Sequence, residues 1–370
     1  ILIIFFSFFS IIKEKKLQFY KNNFFIFFGL FYLSTVFSTL LNFYSFEATI
    51  GGIFYFRIPL FAFSIWFMLQ NYNIFNKKTT IFYTFFFLLL VFDSLLQFYF
   101  GKNIFGNEIF QNRISSFFGK ELILGSFLVK TLPIFMIYLV LGEILNEKRI
   151  NFFYVFLISL ICFIIYASGE RTSFGLLILF FLTLFFISKY LRKFIIFVMI
   201  IFVALSVTLP NLRSVEEPNP AARMFQKSYN QIIGAGEERY EKHKKKLFSK
   251  IYVFSHDHHG HYVLSLKIFK DHIIFGTGIK GFRYLCRNKI YILENNDGCS
   301  THPHNTYFQI LVSNGLVGFS LLMFALLFII KEIFVCRNTI SLQKQFNKYE
   351  ISKAIAISAI FINIWPIIPS

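Results

Sequence analysis

Long, nearly uncharged apolar runs follow one another through this chain. They cover roughly 1–12, 24–44, 53–70, 81–100, 122–142, 152–168, 173–189, 194–209 and 306–330, with a further run at 351–367. A helix that crosses the hydrocarbon core of a bilayer needs about 20 mostly apolar residues. Most of the runs approach that length, and none alternates with the period of two that barrel strands require. Composition agrees: 56% of residues are hydrophobic, 15% are charged, and the mean hydropathy is +0.61. Ordinary soluble domains are about 45–50% apolar and about 25% charged. A water-soluble fold of this length has too little interior to hide so much apolar surface. A soluble enzyme, a disordered chain and a small disulfide scaffold are therefore excluded. The prediction is an all-α, polytopic transmembrane helical bundle of about ten spans, with the lipid bilayer as solvent. The 57 Phe residues are as consistent with an AT-rich genome as with a functional demand.

The net charge is +18. In a soluble protein this would point to nucleic acid. Here basic residues in short loops account for it, because such residues stay on the cytoplasmic side. KEKK (13–16), NKK (76–78), NEKR (146–149), KYLRK (189–193) and the 331–350 segment fall on one side of the predicted topology. SFEATIGG (45–52), 101–121, SGERTS (168–173) and 210–305 fall on the other, which is expected to face the periplasm. The expected organisation is transmembrane helices over 1–209, a large periplasmic loop over 210–305, and C-terminal transmembrane helices over 306–370. Both ends lie inside or beside apolar runs, so the chain reads as truncated.

The 210–305 segment differs from its surroundings. It holds all 8 His residues: His243, His256, His258, His259, His261, His272, His302 and His304. GEERYEKHKKKLFSK (236–250) reads as a solvated helix with Glu–Lys pairs at i,i+4. In HYVLSLKIFKDHIIF (261–275), Val263, Leu266, Phe269 and Ile273 are spaced for one helical face, suited to lying on a membrane surface. GTGIKGF (276–282) reads as a Gly-rich turn. Cys286 and Cys299 share the loop. They form either a disulfide, which an oxidising periplasm permits, or two free thiols.

Three local patterns carry chemistry. In SGERTSFG (168–175), Glu170 and Arg171 adjoin two apolar runs, where ionisable groups are costly unless they face protein or ligand. Arg presents a planar fork matched to phosphate oxygens; the plainer alternative is a solvated hairpin meeting headgroups. In CSTHPHNTYFQILVSNGLVGF (299–319), His302, His304 and Asn305 precede a span. His suits proton transfer near neutral pH, and a helix start has free N–H groups for an anion. The alternative is simple helix capping. Gly315 and Gly318 suit close helix packing. HDHHGH (256–261) has the density of a metal site but no Cys or Glu at zinc spacing, so it reads as a polar turn and no metal is expected. Among the remaining polar residues, Asp93 and Gln97 sit one turn apart, predicting a buried polar contact. Arg57 and Lys130 lie in apolar runs and either face a bundle interior or snorkel. Arg113, Arg213, Arg223 and Arg283 are candidate phosphate contacts, or solvated charges.

Taken together, THPHNTYFQILVSNGLVGF, the preceding IIFGTGIKGFR and the earlier SGERTS resemble the O-antigen ligase and O-antigen polymerase family of bacterial membrane glycosyltransferases. DSLLQFYFGKNIFGNEIFQNRISSFFGKELILGS (93–126) is similar to that family's middle region. The resemblance implies a GT-C-like helical architecture in the inner membrane, with an active site facing the periplasm. It implies an undecaprenyl diphosphate-linked glycan donor and a lipid A-core or other glycan acceptor. No cofactor is implied. On this resemblance Arg171 and His304 are the catalytic candidates. His302, Asn305, Glu170, Arg223, His261, Arg283 and Arg113 are substrate-binding candidates. At the family's Arg opening the loop helix this chain reads HHGHYVLSLKIF, so His261 or His259 stands nearest, with Arg223 upstream as the alternative.

The expected chemistry is displacement of the diphosphate at the anomeric carbon. Arg171, helped by Arg223 or Arg283, holds the leaving diphosphate. His304 takes the acceptor hydroxyl's proton. This expectation depends on Arg171 and His304 meeting at one pocket. The alternatives are a polymerase or protein O-glycosyltransferase using the same donor. From another class, a membrane transporter also fits many spans with buried ionisable groups. Nucleic acid is not an expected partner.

Overall fold

A computed structural model describes residues 23–145, 151–212, 220–233, 256–291, 298–343 and 345–365, together with Ser10. The described residues are helical, with no strand among them and only two isolated bridges, Lys102–Glu108 and Phe110–Arg113. The helices are α1 (Asn23–Leu41), α2 (Phe46–Ile53), α3 (Arg57–Asn71), α4 (Lys77–Phe100), α5 (Leu124–Leu141), α6 (Phe152–Ala167), α7 (Arg171–Ile187), α8 (Arg192–Thr208), α9 (Pro220–Ile233), α10 (His256–Asp271), α11 (Gly281–Leu285), α12 (Thr306–Leu342) and α13 (Lys348–Asn363).

Five helical stretches are long and apolar enough to cross a membrane: Phe46–Asn71, Lys77–Phe100, Leu124–Leu141, Lys189–Asn211 and Thr306–Leu342. Phe25–Leu41, Phe152–Ala167 and Arg171–Ile187 are shorter apolar helices. Most expected runs thus become helices, though fewer reach full spanning length than the expected count of about ten. The run at 1–12 and the predicted helix at 236–250 lie outside the described residues, Ser10 excepted.

The surfaces of these helices suit lipid. On α4 the exposed side carries Ile81, Phe82, Phe85 and Phe92, while Thr80, Thr84, Asp93, Ser94 and Gln97 are buried. Each large apolar side chain left in water forgoes about 1.5–3 kcal/mol. In hydrocarbon that cost disappears, and polar groups turn inward for their hydrogen bonds. The chain therefore reads as an integral membrane protein. Arg57 and Lys130 are exposed, consistent with snorkelling along their apolar stems.

By packing, the chain divides into two compact units. One comprises Phe75–Gly236 and Phe328–Trp365. Its core centres on α6, where Val155, Ile158, Ile161, Phe163 and Ile165 are fully enclosed. Phe163 meets Phe98 of α4 edge-on at 5.4 Å, and Phe87 of α4 packs on Phe135 of α5 at 4.7 Å. Asn76 and Thr79 close a capping box at the start of α4, and Gly101 ends it in the left-handed region, φ 80°. Helix α13 packs on α5 and α7.

The other unit comprises Ile1–Ile74, Glu237–Leu327 and Pro366–Ser370. Its main feature is a break in α12. Gly315 stands at φ 61°, ψ −156°, a region that a Cβ forbids. The break frees backbone groups, and the Gly-rich turn pairs them. Thr277 and Gly278 donate their N–H groups to the Val312 and Ser313 carbonyls at 2.7 and 2.9 Å. Leu316 and Val317 donate to the Ile273 and Ile274 carbonyls at 2.8 and 3.2 Å. Gly315 therefore does not serve close helix packing, as its sequence context suggests; it lets a second segment of backbone complete a discontinuous helix.

The surroundings of three glycines predict opposite outcomes. A Cβ on Gly315 would lie against the Ile274 carbonyl, and one on Gly276 against the backbone of Ser313–Gly315. Gly315→Ala and Gly276→Ala should each cost about 1–3 kcal/mol or more from backbone strain alone. Gly175→Ala, in α7 with open space around it, should gain up to about 1 kcal/mol. Thermal unfolding in detergent reads all three.

The expected apolar face of α10 also shifts. Its buried stripe is His261, Leu264, Ser265 and Ile268, whereas Leu266 and the following Ile273 are exposed. Apolar residues occur on both sides of this helix. Leu264 and Ile268 join Phe282, Cys286, Tyr291 and Val312 in a small core, while Val263 and Phe269 of the predicted stripe are only partly buried. Within that core Cys286 and Cys299 form a disulfide. Residues 256–261 form the first turns of α10 rather than a polar turn.

Candidate functional site

Four cations and a helix start surround one cavity in the Phe75–Gly236 unit. The cavity, about 320 Å³, is lined by Arg113, Arg171, Arg223 and Lys227 with Gln111, Gly169, Glu170, Thr172 and Met224. Gly169, in the left-handed region at φ 71°, turns the chain between α6 and α7. Arg171 and Thr172 are the first residues of α7. Their N–H groups belong to the unpaired first turn of a helix, which attracts anions.

Each cation has a scaffold. Arg113 sits on the loop between α4 and α5, which is stapled from below. Asp93 is fully buried. Its carboxylate accepts from Ile104 N–H at 2.9 Å, Ser116 Oγ at 2.5 Å and Asn103 Nδ2 at 3.4 Å. Gln97 accepts from the N–H groups of Ser115 and Ser116 at 2.8 and 2.7 Å, and donates to the Asn107 carbonyl at 3.1 Å. The predicted polar contact of Asp93 and Gln97 is thus made with the loop.

The Arg113 guanidinium donates to the carbonyls of Ser168 at 3.2 Å and Leu122 at 3.1 Å, and pairs with Glu170 at 3.3 Å. Glu170 binds α5 to α7. Its carboxylate accepts the Gly125 and Ser126 N–H groups at 2.7 and 2.9 Å and the Ser173 hydroxyl at 2.8 Å. It caps the start of α5, where Ile123 offers no side-chain cap. Glu170 lines the cavity but spends its oxygens on protein donors.

Arg223 and Lys227 lie at i,i+4 on α9. Met224 is buried there, and Phe225 packs near Tyr166 and Phe174, each at 6.1 Å. Arg223 donates to the Gln111 carbonyl. Burial and the crowding of charge both act on these groups. Burial, opposed by Glu170, pushes the Arg113 guanidinium below its ordinary range, and Arg223 and Arg171 push the same way. The Lys227 ammonium is lowered first by burial, then by Arg223, Arg171 and Arg113. Like charges held this close are relieved by an anion with several oxygens, for which Arg forks are the matching donors.

In the other unit four imidazoles gather. His258 and His261 lie one turn apart on α10; His302 and His304 come from the segment before α12. The His304 ring centroid is 4.0 Å from His302, 5.2 Å from His261 and 5.9 Å from His258. His304 adopts φ 55°, a left-handed conformation uncommon outside glycine and associated with functional strain. Asn305 is buried, and its Oδ1 accepts from the Tyr307 and Phe308 N–H groups at 2.9 and 3.3 Å, capping α12. The capping role thus falls to Asn305. His261 Nδ1 lies 3.0 Å from the Gly298 carbonyl. A carbonyl only accepts, so Nδ1 carries the proton. Burial holds His302 below its ordinary value, with His261 and Arg283 adding to the shift; Arg283 thereby belongs to this cluster electrostatically. Among the described residues no group of three or more His, Cys, Asp or Glu is arranged to hold a metal ion.

The structure thus groups Arg113, Glu170, Arg171 and Arg223 around the cation cavity. His261, Arg283, His302, His304 and Asn305 gather around the imidazoles. Arg213 lies outside the described residues. One contributor escapes the sequence reading: Lys227 carries a signal only through its i,i+4 spacing from Arg223, whereas His258 belongs to the HDHHGH pattern.

With this geometry in view, comparison with protein families finds that residues 261–323 match a family model described as O-Antigen ligase. The matched segment is a minority of the chain; it covers α10 from His261 onward, the Gly-rich turn, His302 and His304, and the broken start of α12. The resemblance carried by THPHNTYFQILVSNGLVGF and IIFGTGIKGFR therefore holds for that segment. Comparison with curated proteins and with solved structures gives no match.

Proposed function

We propose that this chain is an O-antigen ligase-like membrane glycosyltransferase. It transfers glycan from undecaprenyl diphosphate to a lipid A-core acceptor at the periplasmic face of the inner membrane. The observation that carries the reading is the cavity in which Arg113, Arg171, Arg223 and Lys227 surround the start of α7. A lipid-linked diphosphate is the anion that a membrane enzyme without access to ATP would use as a leaving group. It offers several oxygens at headgroup depth.

Arg171 and Arg223, with Lys227, hold the diphosphate and stabilise the charge it gains. Arg113 positions the site through Ser168, Leu122 and Glu170. The acceptor oxygen forms its bond to the anomeric carbon as the bond from that carbon to the diphosphate breaks. The diphosphate keeps the electron pair. His304 takes the acceptor's proton, and Asn305 and His302 fix its surroundings. No metal enters this scheme.

The decisive assay is purified full-length protein in lipid with an undecaprenyl diphosphate-linked glycan and a lipid A-core acceptor, scored for the glycosidic product. Product on lipid A-core is expected. Elongation of the lipid-linked glycan itself would make the chain a polymerase. Solute uptake by proteoliposomes with no new glycosidic bond would make it a transporter.

A further inference from the structure

A second cavity, in the unit that holds the imidazoles, matches neither a phosphate nor a lipid chain. It measures about 360 Å³ and is lined by Phe31 and Thr35 of α1, Tyr55, Ile279, His302 and the first turns of α12. From α12 come Thr306, Gln309, Ile310, Ser313 and Asn314. Among these residues there is no Lys, Arg, Asp or Glu, and Asn305 already takes the Tyr307 and Phe308 N–H groups at the helix start, so no fixed charge holds an anion there. Hydroxyl and amide groups interrupt the apolar wall, so an alkyl chain would bury them without partners.

The polar groups are not equivalent. Asn314 spends its amide hydrogens on Thr35 at 2.7 Å and Ser34 at 3.4 Å. Ser313 donates to the Asn314 Oδ1 and to the Gln309 carbonyl, both at 2.7 Å. Gln309 Oε1 is buried and accepts no hydrogen bond among the described residues. A buried acceptor left unmade costs about 1–3 kcal/mol, a debt that a ligand donor removes. Rings and aliphatic faces beside neutral donors and acceptors are what a pyranose requires, with C–H faces on one side and hydroxyls on the edge. The size falls in the range of small-ligand pockets, about 300–1,000 Å³.

We infer that this cavity is a neutral sugar subsite in which Gln309 Oε1 accepts a hydrogen bond from a substrate hydroxyl. Within the function proposed above, whose correctness this role assumes, it holds a sugar of the acceptor next to His302 and the imidazole cluster. Gln309 is then a specificity-determining residue: an acceptor lacking the matching hydroxyl leaves the amide oxygen orphaned, and discrimination of this kind is strong.

The test uses the full chain in detergent and ligand-induced thermal stabilisation. Methyl glycosides of glucose, galactose and N-acetylglucosamine probe the sugar subsite, and inorganic pyrophosphate probes the cation cavity. At least one glycoside should stabilise the wild type saturably, and Gln309→Leu should weaken its apparent affinity by roughly tenfold. Pyrophosphate stabilisation should be unchanged by Gln309→Leu. Without ligand, Gln309→Leu should melt at or above the wild-type temperature, because it replaces an orphaned polar atom with an apolar one.

The inference is overturned if none of the glycosides stabilises the wild type, if Gln309→Leu binds them equally well, or if the unliganded variant is less stable. In each case the pyrophosphate arm still reads the donor site. Failure of pyrophosphate to bind, with glycoside binding lost in Gln309→Leu, would overturn the diphosphate reading and leave the sugar subsite standing.

Discussion

Arg171→Ala is expected to lower glycan transfer by roughly 10²–10³-fold, the usual cost of removing one donor that stabilises developing charge. Arg171 is exposed in the cation cavity at the first position of α7. Its loss removes a two-pronged donor where the helix start already favours an anion. The neighbouring cations do not replace it. Arg223 is engaged with the Gln111 carbonyl. Arg113 is committed to the Ser168 and Leu122 carbonyls and to Glu170. Arg171→Lys should recover only part of the rate, because an ammonium restores charge but not the fork.

Stability separates the two arginines. Arg171→Ala should lower the melting temperature less than Arg113→Ala does, since Glu170 carries the tie between α5 and α7. Arg113→Ala should lower it, because the Ser168 and Leu122 carbonyls lose a donor and the largely buried Glu170 carboxylate loses its ion-pair partner. Pyrophosphate-induced stabilisation, measured beside the transfer rate, checks the assignment. If Arg171→Ala binds pyrophosphate and transfers glycan as the wild type does, this cavity is not the donor site.

The difference between Arg171 and its neighbours shows how far the sequence could be read. An Arg between two apolar runs at a predicted membrane edge is legible, because only protein, ligand or headgroups can compensate its charge there. The helices are legible from the same apolar runs. The role of Glu170 is not: its partners, Gly125 and Ser126, lie in another helix, and no local spacing announces them. Lys227 comes into the cavity only because Phe225 and Met224 anchor α9, a tertiary fact. The buried face of α10 is not legible, because both sides of that helix are apolar. Periodicity then offers two stripes, and only packing against Phe282 and Val312 selects one. The role of Gly315 is hidden too, since the backbone that completes the broken helix comes from the distant segment 273–278.

His304→Ala is expected to lower transfer by about 10²–10⁴-fold, the range for a lost general base, while pyrophosphate stabilisation persists. The pH profile separates this from a structural loss. In the wild type the rate should fall on acidification, as His302 gains a proton beside His304. His302, 4.0 Å from His304 by ring centroids, is held below its ordinary value by burial, then by His261 and Arg283. It therefore stays neutral to lower pH than a free His, whose value is about 6.5. Over that interval it adds no positive charge beside His304. Arg283→Ala removes one lowering influence, so the value for His302 rises and His302 charges at a higher pH. The acid limb of the rate profile should then move to higher pH, with the plateau above it unchanged. The same depression gives a linked stability effect. The unfolded chain protonates His302 first, so its contribution is complete above about pH 6.5 and is lost as pH falls through the lower folded-state value. His302→Gln should flatten that part of the stability profile. A limb that stays fixed in Arg283→Ala, with the same slope of stability against pH in His302→Gln, would show that the imidazole cluster does not set the enzyme's response to acid.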